Sequence, residues 1–214
     1  MKSISSKKLK GNILIPGDKS ISHRLVILSS IAIGISKIKG LLKSDDVMRT
    51  VEAMQSFGAS INLSNSSNCF INGVGLGGLA EPKTALDFGN SGTSARLIMG
   101  LSSSHPITTL FIGDTSLSTR PMQRVLKPLI NFGSSFSLRE DEFLPAILKG
   151  SVSPIPFIFN LNEPSAQIKS AVLLGALNTP GTTIVRDKFN TRDHTERLLE
   201  LYGANISVKR KKSL

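Results

Sequence analysis

The chain has 214 residues, a net charge of +11, 40% hydrophobic and 19% charged side chains, which is enough apolar material for one large domain or two small ones with a real core. One cysteine, Cys69, and three histidines without ligand spacing, His23, His105 and His194, exclude a disulfide framework and a cysteine-rich or histidine-based metal centre, and 5% aromatics with no tryptophan speak against stacking platforms for single-stranded nucleic acid. No apolar run approaches bilayer length and none follows the first residues as in a signal peptide, so the chain is expected in the cytoplasm, with neither membrane nor nucleic acid as partner.

In chain order, the first segment with chemical content is Pro16-Gly17-Asp18-Lys19-Ser20-Ile21-Ser22-His23-Arg24, which runs into Leu25-Val26-Ile27-Leu28. A helix starting near Ser20 would aim its free N–H groups and its positive dipole end over the turn. With Lys19 and Arg24 beside it, that is an anion site. A serine cap with solvated charges would use the same residue types. A short strand is expected at 36–40 and a helix from Asp45-Asp46 to Phe57-Gly58. An alternating strand pair follows at 59–63 and 69–71, ending at Val74-Gly75.

The pattern then recurs. Arg96-Leu97-Ile98-Met99 matches Arg24-Leu25-Val26-Ile27 72 residues later, which sets Gly92 on Ser20 and Ser94 on Ser22. Asn90-Ser91-Gly92-Thr93-Ser94-Ala95-Arg96 is a small-residue turn entering a helix, with a cation one turn in; Gly92 would let a ligand approach the backbone closely. A strand is expected at 108–112. The polar loop 114–122 ends in Arg120-Pro121-Met122, and the proline places Arg120 at the start of a helix that leads to Phe132-Gly133. A cation facing the positive end of a helix is unfavourable unless an anion comes between. A strand pair closes this unit at Leu148-Lys149-Gly150.

A third copy starts at Ser165-Ala166-Gln167-Ile168-Lys169-Ser170-Ala171-Val172-Leu173-Leu174, continues with a strand at 182–185, and takes its second helix from Asn190-Thr191-Arg192 to Tyr202-Gly203. The three terminal glycines, Gly58, Gly133 and Gly203, are 75 and 70 residues apart. The third unit then offers a single strand, Ala204-Asn205-Ile206-Ser207-Val208, and the basic run Lys209-Arg210-Lys211-Lys212. The expectation is an α/β fold of three helix-strand-helix-strand-strand units, helices buried at the centre and sheets outside, with the third unit truncated within a longer fold. An α/β protein with loose repeats is the alternative. The helix entrances repeat similar chemistry, which points to one cleft for a ligand with several anionic groups.

These segments resemble the 5-enolpyruvylshikimate-3-phosphate synthase family. The resemblance rests on residues 16–24, Gly89-Asn90-Ser91-Gly92-Thr93, Arg120-Pro121-Met122, Ser165-Ala166-Gln167 and Arg192-Asp193-His194-Thr195-Glu196, in the family's order. The stretches at 165–174 and 192–196 resemble its bacterial class II branch. The resemblance implies an enolpyruvyl transferase-like fold, an inside-out α/β barrel repeated in two domains. It implies transfer of the enolpyruvyl group of phosphoenolpyruvate to the 5-hydroxyl of shikimate 3-phosphate, in aromatic amino acid biosynthesis, with no cofactor and no metal.

By the same resemblance Lys19 touches both substrates and is the catalytic cation. Ser20, Arg24, Ser165, Ala166, Gln167 and Arg192 hold shikimate 3-phosphate, and Gly92, Arg120 and Gln167 face phosphoenolpyruvate. The family links a glycine at the Gly92 position to sensitivity to glyphosate. Residues 1–14 match a strand that crosses into a second, missing domain, and 15–214 match the first domain without its last strand. The family's proton-moving carboxylates belong to the missing half, so the chain is expected to be inactive alone and the completed protein a monomer. Asp18, Asp46, Asp193 and Glu196 read as caps and first-turn acids. Two other readings compete. The related UDP-N-acetylglucosamine enolpyruvyl transferases carry a cysteine in the loop before Arg120, and the loop 114–119 has none. An inactive remnant binding polyanions would rest on the run 209–212.

Overall fold

Asp18 follows the turn at Pro16-Gly17 in an extended conformation, and its carboxylate accepts the N–H of Ile21 at 2.8 Å. That cap starts α1, Lys19–Ile31. The computed structural model, which describes residues 8, 10–13, 15–64 and 68–209, continues with β1 (Ile33–Lys39), α2 (Asp45–Ser56), β2 (Ser60–Leu63) and β3 (Asn68–Val74). The second unit is β4 (Leu86–Asp87), α3 (Gly92–Ser102), β5 (Thr108–Ile112), α4 (Gln123–Leu129), β6 (Ser135–Arg139) and β7 (Phe143–Lys149). The third is β8 (Ile158–Asn160), α5 (Ala166–Ala176), β9 (Ile184–Arg186) and α6 (His194–Leu201).

Three sheets result. β1 and β2 flank β3, both antiparallel to it. The second sheet has the order β4-β5-β7-β6, with β4 parallel to β5, and the third pairs β8 with β9 in parallel. β5 and β7 alternate buried and exposed positions, so each turns one face inward. Helices α1, α3 and α5 are buried nearly all round and rich in small and apolar residues, as central helices must be. Around them Phe57, Phe88, Phe111 and Phe132 are fully buried; Phe88 stacks on Phe111 at 5.5 Å, and Phe132 meets Phe157 edge-on at 4.7 Å.

Several local expectations change. α4 starts at Gln123, because residues 117–119 form a separate 3-10 turn and Arg120 is extended at φ −93°, ψ 130°. Pro121 therefore precedes the helix by two residues, and Arg120 lies on the link between the two helical turns. Likewise Arg192 precedes α6 by two residues. β4 and β8 are two and three residues long, too short for alternation to mark them. The stretch 204–208 is in no strand, since no described strand lies beside it to complete a ladder. In the segment 1–14 the described residues are in no helix or strand and the rest lie outside the description, as do 210–214 of the basic tail. Among the described residues no helix is long and apolar enough to cross a membrane, and no group of three His, Cys, Asp or Glu side chains could hold a metal ion.

Candidate anion-binding site

At the α1 entrance Lys19 is half exposed and ion-paired with Asp46, in the first turn of α2. Ser20 is partly buried. Arg24, one turn further in, is only 5% exposed. Its Nη1 donates to the Ser20 carbonyl at 2.9 Å, its Nε to Thr195 Oγ1 at 2.6 Å and its Nη2 to Ser170 Oγ at 2.7 Å. Arg24 thus ties α1 to α5 and α6, and these three bonds leave part of its five-donor fork open. Burial and the neighbouring charge of Arg192 lower its pKa to about 10, against the opposing pull of Glu196 and Asp18. Arg192 is exposed and forms no ion pair with a described residue. Two cations whose charges act on one another, one of them with donors still open, can together attract an anion.

The α3 entrance carries a second set. Ser91 caps the helix and Gly92 is its first residue. A Cβ built on Gly92 would lie 3.0 Å from Arg96 Nη1 and 3.5 Å from Arg120 Nη1, so both guanidinium groups flank this backbone. Arg96 Nη1 donates to Gln167 Oε1 at 2.9 Å, and Gln167 Nε2 donates to Thr93 Oγ1 at 2.9 Å, which joins α3 to α5. Arg120 Nη2 donates to Asn90 Oδ1 at 2.5 Å and Ser116 Oγ at 3.0 Å, and Asn90 in turn donates to Asp114 at 3.0 Å. Asp114 is held below its usual pKa by the N–H of Leu117 first and by Asn90 next. Burial, then Arg124 and Arg120, lower the pKa of Arg96, while Glu163 opposes them. Glu163 is itself bound to Arg124 at 3.1 Å.

At the α5 entrance Ser165 Oγ accepts the N–H of Ile168 at 3.3 Å, and Ala166 and Gln167 form the first turn. A polar hub behind the entrances links α1, α2 and α3. His23 Nδ1 lies 2.7 Å from Thr50 Oγ1, Thr50 Oγ1 2.6 Å from Ser94 Oγ, and Ser94 Oγ donates to the Asp46 carbonyl at 3.1 Å. One proton direction satisfies the whole chain, from His23 Nδ1–H through Thr50 and Ser94 to that carbonyl. The imidazole is fully buried, and desolvation, with Lys19 next, lowers its pKa to about 4.

The structure therefore gathers most of the sequence candidates into two cationic groups that share helix α5, through Ser170 beside Arg24 and Gln167 beside Arg96, while Lys19 pairs with Asp46 at the α1 entrance. Ser20, Arg24 and Arg192 cluster where α1 meets α5 and α6. Gly92, Arg120 and Gln167 cluster at α3, with Arg96 added. Arg96 carried a signal in its equivalence to Arg24. Thr50, Thr93, Ser170 and Thr195 carried none, because a hydroxyl inside a helix looks the same whether or not a distant arginine reaches it. Asp18 is a cap, as the sequence suggested, whereas Asp46 and Glu196 also serve as ion-pair partners, of Lys19 and of Lys169.

The sequence model of the family described as EPSP synthase (3-phosphoshikimate 1-carboxyvinyltransferase) matches residues 4–214. The 3-phosphoshikimate 1-carboxyvinyltransferase of Parvibaculum lavamentivorans is 51% identical over 203 residues, which are 95% of this chain and 45% of the relative. That of Zymomonas mobilis is 52% identical over 94% of this chain and 44% of its own length. The solved structure of EPSP synthase from Acinetobacter baumannii superposes with a TM-score of 0.89 at 38% identity, over 93% of this chain and 45% of that one. The chain thus spans less than half the length of the relatives it matches. With the motifs in order and the fold shared, it belongs to the EPSP synthase (3-phosphoshikimate 1-carboxyvinyltransferase) family.

Proposed function

We propose that this chain forms the substrate-gripping half of an enzyme that transfers the enolpyruvyl group of phosphoenolpyruvate to shikimate 3-phosphate in the cytoplasm. Residues 15–214 would be its first domain, and residues 1–14 would cross to a second. The observation that carries the reading is the presence of two cationic groups at neighbouring helix N-termini. Arg192 lies near enough to Arg24 for its charge to lower the Arg24 pKa in one, and in the other the three cations Arg96, Arg120 and Arg124 have two neighbouring carboxylates, Glu163 and Asp114. Two multiply anionic substrates would neutralise two such groups, and fixing both in one cleft aligns the 5-hydroxyl with C2 of phosphoenolpyruvate, the enol phosphate carbon from which phosphate later leaves.

In this reading Lys19, Ser20, Arg24, Ser165, Ala166, Gln167 and Arg192 grip shikimate 3-phosphate. Lys19, Gly92, Arg120 and Gln167 face phosphoenolpyruvate. The general base is expected from the half of the family's length that this chain does not span, so the 214 residues bind without turning over. The glycine at position 92, by the family resemblance, makes a completed enzyme sensitive to glyphosate, and a resistant reconstituted enzyme would count against that.

Titration calorimetry of the purified chain with shikimate 3-phosphate is the test. A saturable response with Kd of roughly 1 mM or tighter, weakened about tenfold in Arg192→Ala, is expected. Absence of any response, or formation of the enolpyruvyl product by the chain itself, would overturn the reading.

A further inference from the structure

Lys169 lies inside α5 and is only 4% exposed, a costly place for an ammonium group unless every donor is used. All three are. Nζ lies 3.1 Å from Asp187 Oδ2 and 2.7 Å from Glu196 Oε1, and donates to the Thr191 carbonyl at 3.2 Å. The two flanks of Arg192 meet at this one nitrogen: the carbonyl just before it, and a carboxylate in the first turn of α6 just after it.

Asp187 completes the hold. Its Oδ2 accepts Thr191 N–H at 2.9 Å and Thr191 Oγ1 at 2.6 Å, and its Oδ1 accepts Phe189 N–H at 2.9 Å. Burial works against this carboxylate, yet the bonds from Thr191, Phe189 and Lys169 bring its pKa down to about 2. Asn190 takes a left-handed φ of 52° within the loop. The segment 187–191 is therefore a closed turn built on Lys169, and Arg192 follows it directly, near enough for its charge to act on Arg24. The ammonium is consumed by protein groups and is not available to a ligand itself.

We propose that Lys169 is a positioning residue: it clamps Thr191 and Glu196 on either side of Arg192 and so aims that guanidinium into the anion site. The inference deepens the shikimate 3-phosphate reading above and rests on it. The double variant Lys169→Met/Glu196→Gln removes the clamp while keeping the net charge of the cluster with Asp187. Hydrogen exchange measured by mass spectrometry is expected to rise about tenfold or more in residues 188–193, with α5 unchanged.

In calorimetry with shikimate 3-phosphate, Arg192→Ala is expected to cost about tenfold in the native background but under about twofold in the double variant, because the arginine is already misaimed there. A merely structural Lys169 would lower Tm and leave the Arg192→Ala loss equal in both backgrounds, which overturns the proposal. Should the double variant not fold, Lys169→Arg keeps the charge, but its planar fork cannot reproduce three tetrahedral donors, and the same rise in exchange is expected. Unchanged exchange at 188–193 in a folded variant overturns the clamp outright. A native chain that ignores shikimate 3-phosphate while its variant shows the exchange rise refutes the ligand reading and keeps the clamp.

Discussion

Replacing Gly100 by alanine is expected to destabilise the domain by about 3 kcal/mol and to lower Tm by roughly 6–12 °C. Gly100 sits in α3 where it crosses α5. A Cβ there would lie 2.5 Å from Ala171 Cα and 2.7 Å from Ala171 C, and would also strike the Ala171 carbonyl oxygen. These are backbone atoms of the opposing helix, which cannot rotate away as a side chain could, so α3 and α5 must separate. Alanine is the better helix former by about 1 kcal/mol, but the collision outweighs that gain. The crossing also holds the Gln167–Arg96 contact that joins two entrances of the site, so the variant should lose shikimate 3-phosphate affinity as well. Gly77, around which a Cβ meets nothing within 4 Å, is the control, and Gly77→Ala should melt with the native chain. Thermal denaturation followed by circular dichroism decides it. A Gly100→Ala variant melting within about 2 °C of the native chain would show that the helices can part without cost.

Lowering the pH from 7 to 4.5 is expected to remove most of about 3 kcal/mol of stability through His23 alone. The imidazole is fully buried, and its folded pKa is about 4 against an ordinary 6.5. Burial is the main cause. Lys19 and Arg24 on α1 oppose its protonation, Asp46 on α2 favours it, and the groups facing Nδ1 are the neutral hydroxyls of Thr50 and Ser94. Between these two pKa values the unfolded chain binds a proton that the folded chain refuses. Stability is therefore complete above about pH 6.5 and falls as the pH approaches 4. Asp187, with its pKa lowered to about 2, loses its contribution only in a more acidic window, from about 4 downward. Urea unfolding between pH 7 and 4.5 separates the two. His23→Asn, which keeps an amide in place of the imidazole and cannot titrate, should show a much flatter profile. A native chain whose stability is level across that range would contradict the buried neutral hub.

Much of this was legible in the sequence because it is local. Asp18, read as a cap, caps α1, and Ser165, the expected start of the third copy, proves to be the cap of α5. The second helix of the first unit, expected from Asp45 to the Phe57-Gly58 stop, spans Asp45–Ser56. The cation-bearing turns were visible as a repeat, and Arg96 was within reach of the same argument. The misplacement of Arg120 had a local cause too. A proline after an arginine fits a helix start, but it fits the extended link between a 3-10 turn and a helix equally well, and neighbouring packing made the choice.

What the sequence by itself determined, then, was the order of the helices and of the longer strands, the three polar entrances and the family, since capping, apolar spacing and motif identity act over a few residues. Tertiary structure decided how the charges are spent. Arg24 and Thr195 are 171 residues apart and Arg96 and Gln167 are 71 apart, and no periodicity announces such pairs. Only the packing of α1, α3, α5 and α6, with the loop before α6, shows which cations are consumed inside the fold, as Lys169 is. The same packing brings Arg192 close enough to Arg24 for its charge to be felt there, while among the described residues it forms no ion pair.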